Sequence, residues 1–499
     1  MKRALLCLAF IATALPAKTP APDVRAWRHA HERQLLEDFS AFVAMPNVAT
    51  TLADVDRNAA FLSGQLQARG FTTRLLRASE GTPATVYGER RTPGAKRTVL
   101  FYAHYDGQPI GQKGWTSKPF EPVVRAGDQI VDWRSASGPL NPDWRIYGRG
   151  TGDDKASVQA MLSALDALKA RGIKPSVNIK IIWEGEEEQG SPHLAEIVRA
   201  NRDLLKADLL IMGDGPMHQS GKQMINFGNR GITGFRMTVY GPNRPLHDGH
   251  YGSWVPSPSV MMARLIASMR DDDGKILIPG IYDDVAPLTA ADRDALAALP
   301  PIEDDLRRQF AIGRTLTERL ANGYLQPTFN VRAIHVGDEG PDAANAIATE
   351  ATASFDIRLV PNQKPARVRE QVERHLAGQG WFVVHATPDA ATRLAHPKIV
   401  RVDWDEGSSE AVKTPLDTPA AGAVAQSIGR TVGYPVLKLP ISGGSSGIAD
   451  VVNALDVPMV GVSIANFDDN QHARNENLRL GNLWDGIEVY AGLLADMNW

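Results

Sequence analysis

The chain has 499 residues, 43% of them apolar and 22% charged, with 44 glycines and 33 prolines. This composition excludes intrinsic disorder, a collagen-like repeat and a coiled coil, and at about 150 residues per domain it predicts about two to four domains. The 54 Lys and Arg nearly balance the 57 Asp and Glu, so there is no strong field to hold nucleic acid or an anionic membrane, and neither is expected as a partner.

At the N-terminus Lys2 and Arg3 precede an uncharged apolar run from Ala4 to Leu15, followed by Pro16 and Ala17. This is the pattern of a secretory signal over residues 1–17, too short to span a bilayer, and it predicts a periplasmic or secreted protein. Its removal takes away Cys7, the only cysteine. A mature chain without thiols has neither disulfides nor a Cys nucleophile, and must build any metal site from His, Asp and Glu.

Residues 24–68 carry a helical pattern. Thr98 to Tyr102 (TVLFY) is the first clear buried strand, followed by a helix from Asp154 to Ala170 whose apolar residues share one face. Val177 to Trp183 and Asp208 to Met212 are further buried strands around a helix at Leu194 to Ala200, and Val457 to Ile464 is the last. Strand, helix, strand in this order predicts an α/β domain with a mixed, mostly parallel sheet and helices on both faces. From Gly234 the pattern becomes βαββαβ, which predicts a ferredoxin-like lid inserted into the first domain and interrupted by an acidic helical segment near 271–326. The expected division is 24–229 with 413–499 for the α/β domain and 230–412 for the lid.

Five polar clusters follow predicted strands: His104-x-Asp106, Asp153-Asp154, Glu186-Glu187-Glu188, Asp214 and His472. In an open α/β sheet, ligands bind beyond the carboxyl ends of the strands, where residues distant in sequence converge. Singly, each cluster is equally well a surface turn, a solvated acidic face or a helix cap. Together they gather more negative charge than one crevice tolerates without cations. Two His with several carboxylates suits zinc, with manganese or cobalt as alternatives.

The segments VLFYAHYDGQP, GRGTGDDKAS, EGEEEQGSP and LIMGDGP and the late His472 resemble the metal-site motifs of the zinc aminoacylase, carboxypeptidase and carnosinase family of di-metal peptidases. Trp115 to Pro122 and the NQHARNENL segment are most similar to carnosinase-type dipeptidases. The resemblance implies one metal held by His104 and Asp214 and another by Glu188 and His472, with Asp153 bridging. It implies that Asp106 orients His104, that Glu187 is the general base toward a water shared by the two ions, and that Glu186 occupies a variable position. Ala156 departs from the family's usual Gly, and Ala suits a helix.

The same resemblance implies that the lid's His247 reaches into the partner's site in a homodimer and stabilises the oxyanion. It further implies that Arg358 binds the substrate's terminal carboxylate, and that Gly443, Gly444 and Ser445 cradle it. The expected activity is hydrolysis of dipeptides or short peptides with a free C-terminal carboxylate, ahead of N-acyl amino acids. A remote alternative is a serine hydrolase, since SGGSSG fits a nucleophile elbow with Ser445, Asp450 or Asp456, and His472 in the required order. Gly148-x-Gly150-x-Gly152 lacks dinucleotide-binding spacing.

Overall fold

The computed structural model describes residues 19–499 apart from 112 and 339; the signal-like leader at 1–17 lies outside them. Its centre is an eight-stranded mixed sheet. Four adjacent strands, Asn178–Glu184, Thr98–His104, Leu209–Met212 and Met459–Val462, run parallel in that order. Thr72–Leu76 and Thr85–Arg90 add an antiparallel pair at one edge, and Met224–Asn226 with Leu437–Leu439 close the other.

Successive strand residues point to opposite faces, and both faces are covered. Val99, Phe101 and Ala103, with Ile179, Ile181 and Trp183, belong to the core shared with the helices Lys155–Ala170 and Leu480–Asp496. Leu100, Tyr102, Ile182, Leu210 and Met212 belong to the core of the other face, under Leu194–Ala200 and Ile448–Leu455. A fully buried side chain of this kind stabilises the fold by ~1.5–3 kcal/mol, which explains why the strands read as continuous apolar runs. The four parallel strands end on one edge of the sheet, and three of them, ending at His104, Glu184 and Met212, run directly into polar clusters.

Three sequence expectations are corrected. The N-terminal helical pattern is two helices, Ala21–Val43 and Leu52–Ala68; Pro46 lies in the break, where it cannot donate a helical hydrogen bond. Arg145–Tyr147, which precedes Asp153, is not in the central sheet. It belongs to a separate four-stranded antiparallel sheet, paired with Val123–Ala126 on one side and Asn477–Arg479 on the other. The lid sheet has five strands instead of four, ordered Thr328–His335, Glu350–Leu359, Gly231–Tyr240, Ile399–Trp404 and Phe382–Val384. The extra strand, Ile399–Trp404, inserts antiparallel beside Gly231–Tyr240 and carries the edge strand in parallel.

The lid has its own core around Phe235, Phe355, Val400 and Val402, with the helices Pro258–Met269 and Pro365–Gly378 packed on it. The acidic segment forms the helices Ala290–Ala298, Glu303–Phe310 and Leu320–Gly323. It turns back onto the central sheet: Leu299 packs with Leu437 and Leu439, and the buried Asp292 pairs with Lys413 at 2.6 Å. Among the described residues no helix is long and apolar enough to cross a membrane.

Candidate active site

His104 ends its strand, and Glu186–Glu188 and Asp214 follow the ends of the two flanking strands. Gly213 permits the last of these turns, because a Cβ there would lie 2.7 Å from the Tyr490 hydroxyl and 2.8 Å from Ser157 Cβ. Asp153 arrives from the side sheet and His472 from the loop after Met459–Val462.

These residues form two overlapping groups, His104 with Asp153 and Asp214, and Asp153 with Glu188 and His472. Within each group one ligand atom per residue lies within 4.8 Å of the others. His104 Nε2 is 2.9 Å from Asp153 Oδ1. His472 Nε2 is 3.1 Å from Asp153 Oδ2 and 3.2 Å from Glu188 Oε2. Asp153 Oδ2 is buried and, despite that short approach, lacks a partner in hydrogen-bonding geometry. A buried carboxylate oxygen left in this way, between imidazole and carboxylate donors, fits a cation.

Asp106 is fully buried. Its Oδ1 lies 3.4 Å from His104 Nδ1, and its two oxygens accept the backbone N–H groups of Glu187 (3.2 Å) and Glu188 (3.0 Å). It therefore holds the acidic turn in place as well as facing the histidine. Gln108 donates to Glu188 Oε2 at 2.7 Å. Glu186 turns away and accepts from the His193 backbone N–H and ring.

The electrostatics follow from crowding. Burial, with Asp153 close by, pushes the Asp214 carboxyl up to about 7, and burial drives Glu187 well above the usual carboxylate range. Hydrogen bonds with Asp153 and Glu188 raise His472 to about 10. Burial opposes charge on His104, yet Asp106 and Asp153 raise it well above an ordinary imidazole. Burial also opposes charge on Asp153, but the two histidines hold it well below the usual range.

His104, His472, Asp214, Glu184 and Glu187 are all raised and together set the direction of the pH dependence against Lys155, which burial lowers to about 7 and which favours the fold as pH rises above that value. A raised histidine stabilises the fold below its unfolded value near 6.5, and that stabilisation is lost as pH climbs through about 10 for His472. A raised Asp214 likewise loses stability from the ordinary 3.8 up to about 7. Asp153 acts in the opposite direction only below the ordinary aspartate value. Metal-stripped protein is therefore expected to melt at progressively lower temperature from about pH 6 to 9, and saturating divalent metal to flatten the trend. A melting temperature that rises over that interval in stripped protein contradicts this electrostatic account.

A cavity of about 530 Å³ opens from Asp153, Glu187 and Asp214 toward Arg358, Gly443, Gly444 and Ser445. Arg358 donates Nε to Asp356 at 3.2 Å. The carbonyl of Gly443 accepts from Arg230 Nε and Nη2, and that of Gly444 from the Arg230 backbone. Tyr324 sits where a Cβ on Gly443 would strike its ring at 2.7 Å. Arg230 and Tyr324 were not anticipated from sequence. Tyr324, with Leu299 and Leu320, shows that the acidic segment is a wall of this cavity.

His247 lies outside the cavity: its side chain is 57% exposed, its ring accepts from Gly249 N–H at 3.1 Å, and it faces His250 at 4.4 Å. The serine-hydrolase constellation is not assembled. Ser445 Oγ donates to the Gly231 carbonyl, the His472 ring faces Asp153 and Glu188, and Asp450 and Asp456 are exposed.

An open α/β sheet whose parallel strands end in two overlapping His–carboxylate groups is the construction of a metal-dependent hydrolase. The model of peptidase family M20/M25/M40 matches residues 100–496, and the chain belongs to this family; it is a metallopeptidase. It is 28% identical over 431 residues, 83% of each chain, to a Cys-Gly metallodipeptidase of Schizosaccharomyces pombe. It is 26% identical to the Beta-Ala-His dipeptidase of Homo sapiens, over 83% of this chain and 78% of the relative. Among solved structures, an M20 family metallo-carboxypeptidase from Sulfolobus solfataricus matches with a TM-score of 0.77 and 25% identity, covering 93% of this chain and 99% of its own. Human carnosine dipeptidase 1 shares the fold, with a TM-score of 0.73.

Proposed function

We propose that the protein is an exported two-zinc dipeptidase that cleaves the amide bond of dipeptides or short peptides with a free C-terminal carboxylate. The observation that carries this reading is one cavity lined by Asp153, Glu187, Asp214 and His472 together with Arg358 and the Gly443–Ser445 turn. The N–H groups of Gly443, Gly444 and Ser445 have no acceptor among the described residues, and an arginine fork beside free N–H groups suits a carboxylate. The two dipeptidase relatives favour dipeptides over N-acyl amino acids.

In this reading His104 and Asp214 would hold one ion and Glu188 and His472 the other, with Asp153 common to both groups. Divalent ions held there would supply Lewis acidity, able to polarise an amide carbonyl and to make a water more acidic. Glu187 accepts the proton of the attacking water and returns it to the leaving nitrogen. Asp106 fixes the backbone of Glu187 and Glu188. Arg358 and the Gly443–Ser445 turn orient the substrate by its terminal carboxylate.

His247 serves the site of a second copy of the chain. Its exposure, with Trp254 at 79% and Val260 at 52% exposed in the same lid, suits a lid that pairs with another lid. Export rests on Lys2, Arg3 and the apolar run that follows.

The test is a panel of dipeptides, their C-terminal amides and N-acyl amino acids, assayed with zinc-loaded enzyme. Free dipeptides are expected to be cleaved at least about ten-fold faster than the amides, as loss of one charge-assisted contact worth ~1.5–3 kcal/mol implies. Equal turnover of the amides removes the carboxylate role of Arg358, and faster turnover of acyl amino acids removes the dipeptidase assignment.

A further inference from the structure

The short strand Arg145–Tyr147 leads into the turn carrying Asp153, and Asn477–Arg479 follows the loop carrying His472. The two strands pair with Tyr147 opposite Asn477, so the side sheet brings two metal-site segments together that lie more than three hundred residues apart.

Glu476 sits at this junction and is fully buried. Its Oε2 accepts Arg149 Nη1 and Gly150 N–H, each at 2.9 Å, and its Oε1 accepts Gly152 N–H at 2.9 Å and Asp153 N–H at 3.1 Å. Its own carbonyl accepts Gly148 N–H at 3.0 Å. Arg149 also donates Nη2 to the Ala473 carbonyl at 3.2 Å and lies 5.1 Å from the Trp115 ring centroid. Its backbone N–H bonds Pro119, and Thr116 bonds Asn475. Trp115 to Pro119 thus backs both loops from behind. Glu476 does not line the cavity.

We infer that Glu476 is a positioning residue that locks the Asp153 turn and the His472 loop into one unit, so that both metal positions are built together and lost together. The inference rests on the two-ion assignment above. Its chemistry is specific to a carboxylate: four N–H donors converge on two oxygens, and only an acceptor-only group satisfies them all. A glutamine offers one acceptor and turns an NH₂ toward N–H groups. Asp153 bridges, so displacing its backbone perturbs both positions, whereas removing His472 removes a ligand from one.

The experiment titrates zinc ion alone into metal-stripped wild type, Glu476→Gln, Glu476→Asp and His472→Ala, with the melting temperature recorded for stripped and loaded protein. Wild type is expected to take up two equivalents. Glu476→Gln weakens both equivalents in parallel by about ten-fold or more, the usual effect of a partner behind the ligands. Its melting temperature falls less in the stripped form than in the zinc-loaded form, each compared with wild type in the same state. Glu476→Asp, which keeps the acceptor-only carboxylate, recovers part of both affinities together. His472→Ala weakens one equivalent only.

Wild-type affinity in Glu476→Gln, weakening of a single equivalent, or equal loss of stability in stripped and loaded protein with unchanged affinity overturns the inference. If Glu476→Gln does not fold, Glu476→Asp decides: parallel weakening of both equivalents supports the inference, and weakening of one or neither overturns it. Wild type that binds no zinc overturns the two-ion assignment itself, an outcome distinct from the others.

Discussion

Replacing Glu187 with Ala is expected to cut turnover by ~10²–10⁴-fold, the usual contribution of a positioned acid–base group, while metal content stays at two ions per chain. Three observations separate this glutamate from its neighbours. Glu187 lines the cavity with Asp153 and Asp214 yet belongs to neither metal-ligand group. Its backbone is held by Asp106, and burial drives its carboxyl well above the usual carboxylate range. The flanking residues supply internal controls. Glu188→Ala removes a ligand beside His472 and is expected to lose metal as well as activity. Glu186→Ala breaks only the contact with His193 and is expected to keep most activity. Steady-state rates with elemental analysis on the three variants separate these outcomes. Metal loss in Glu187→Ala would mean that base and ligand have been exchanged.

The second large effect concerns His247. It lies outside the cavity, so a role in catalysis requires a second subunit. His247→Ala is expected to lose ~10²–10³-fold, the range measured for one oxyanion donor. Mixing inactive His247→Ala with inactive Glu187→Ala, under conditions that let subunits exchange, is expected to restore about a quarter of wild-type activity. Half of randomly paired two-fold dimers are hybrids, and each hybrid has one site with both groups intact. Absence of recovery in demonstrated hybrids would remove His247 from the partner's site, and unimpaired His247→Ala would remove it from catalysis.

Much of this arrangement is legible in the sequence because it is local. TVLFY, VNIKIIW and DLLIM are mostly apolar because both sheet faces are covered, and the chemistry follows each within a few residues. What was hidden depends on pairing across long separations. Arg145–Tyr147 has a strand's residues, but nothing local says that its partner is Asn477–Arg479 and not the central sheet. Glu476 was visible in NQHARNENL as one more polar residue; its importance comes from donors on a turn more than three hundred residues earlier. Ile399–Trp404 alternates as a half-buried strand does, but it follows Pro397 and completes a pattern that already seemed closed with four strands. The acidic segment is helical and polar in sequence, and only its packing against Leu437 and Leu439 reveals that it borders the cavity.

The most direct test of the whole account is anomalous diffraction from crystals of zinc-loaded protein, recorded above and below the zinc absorption edge. Two peaks per chain are expected beside the Asp153 carboxylate, one reached by His104 and Asp214 and the other by Glu188 and His472. A single peak, or density that leaves Asp153 bound to neither ion, would contradict it.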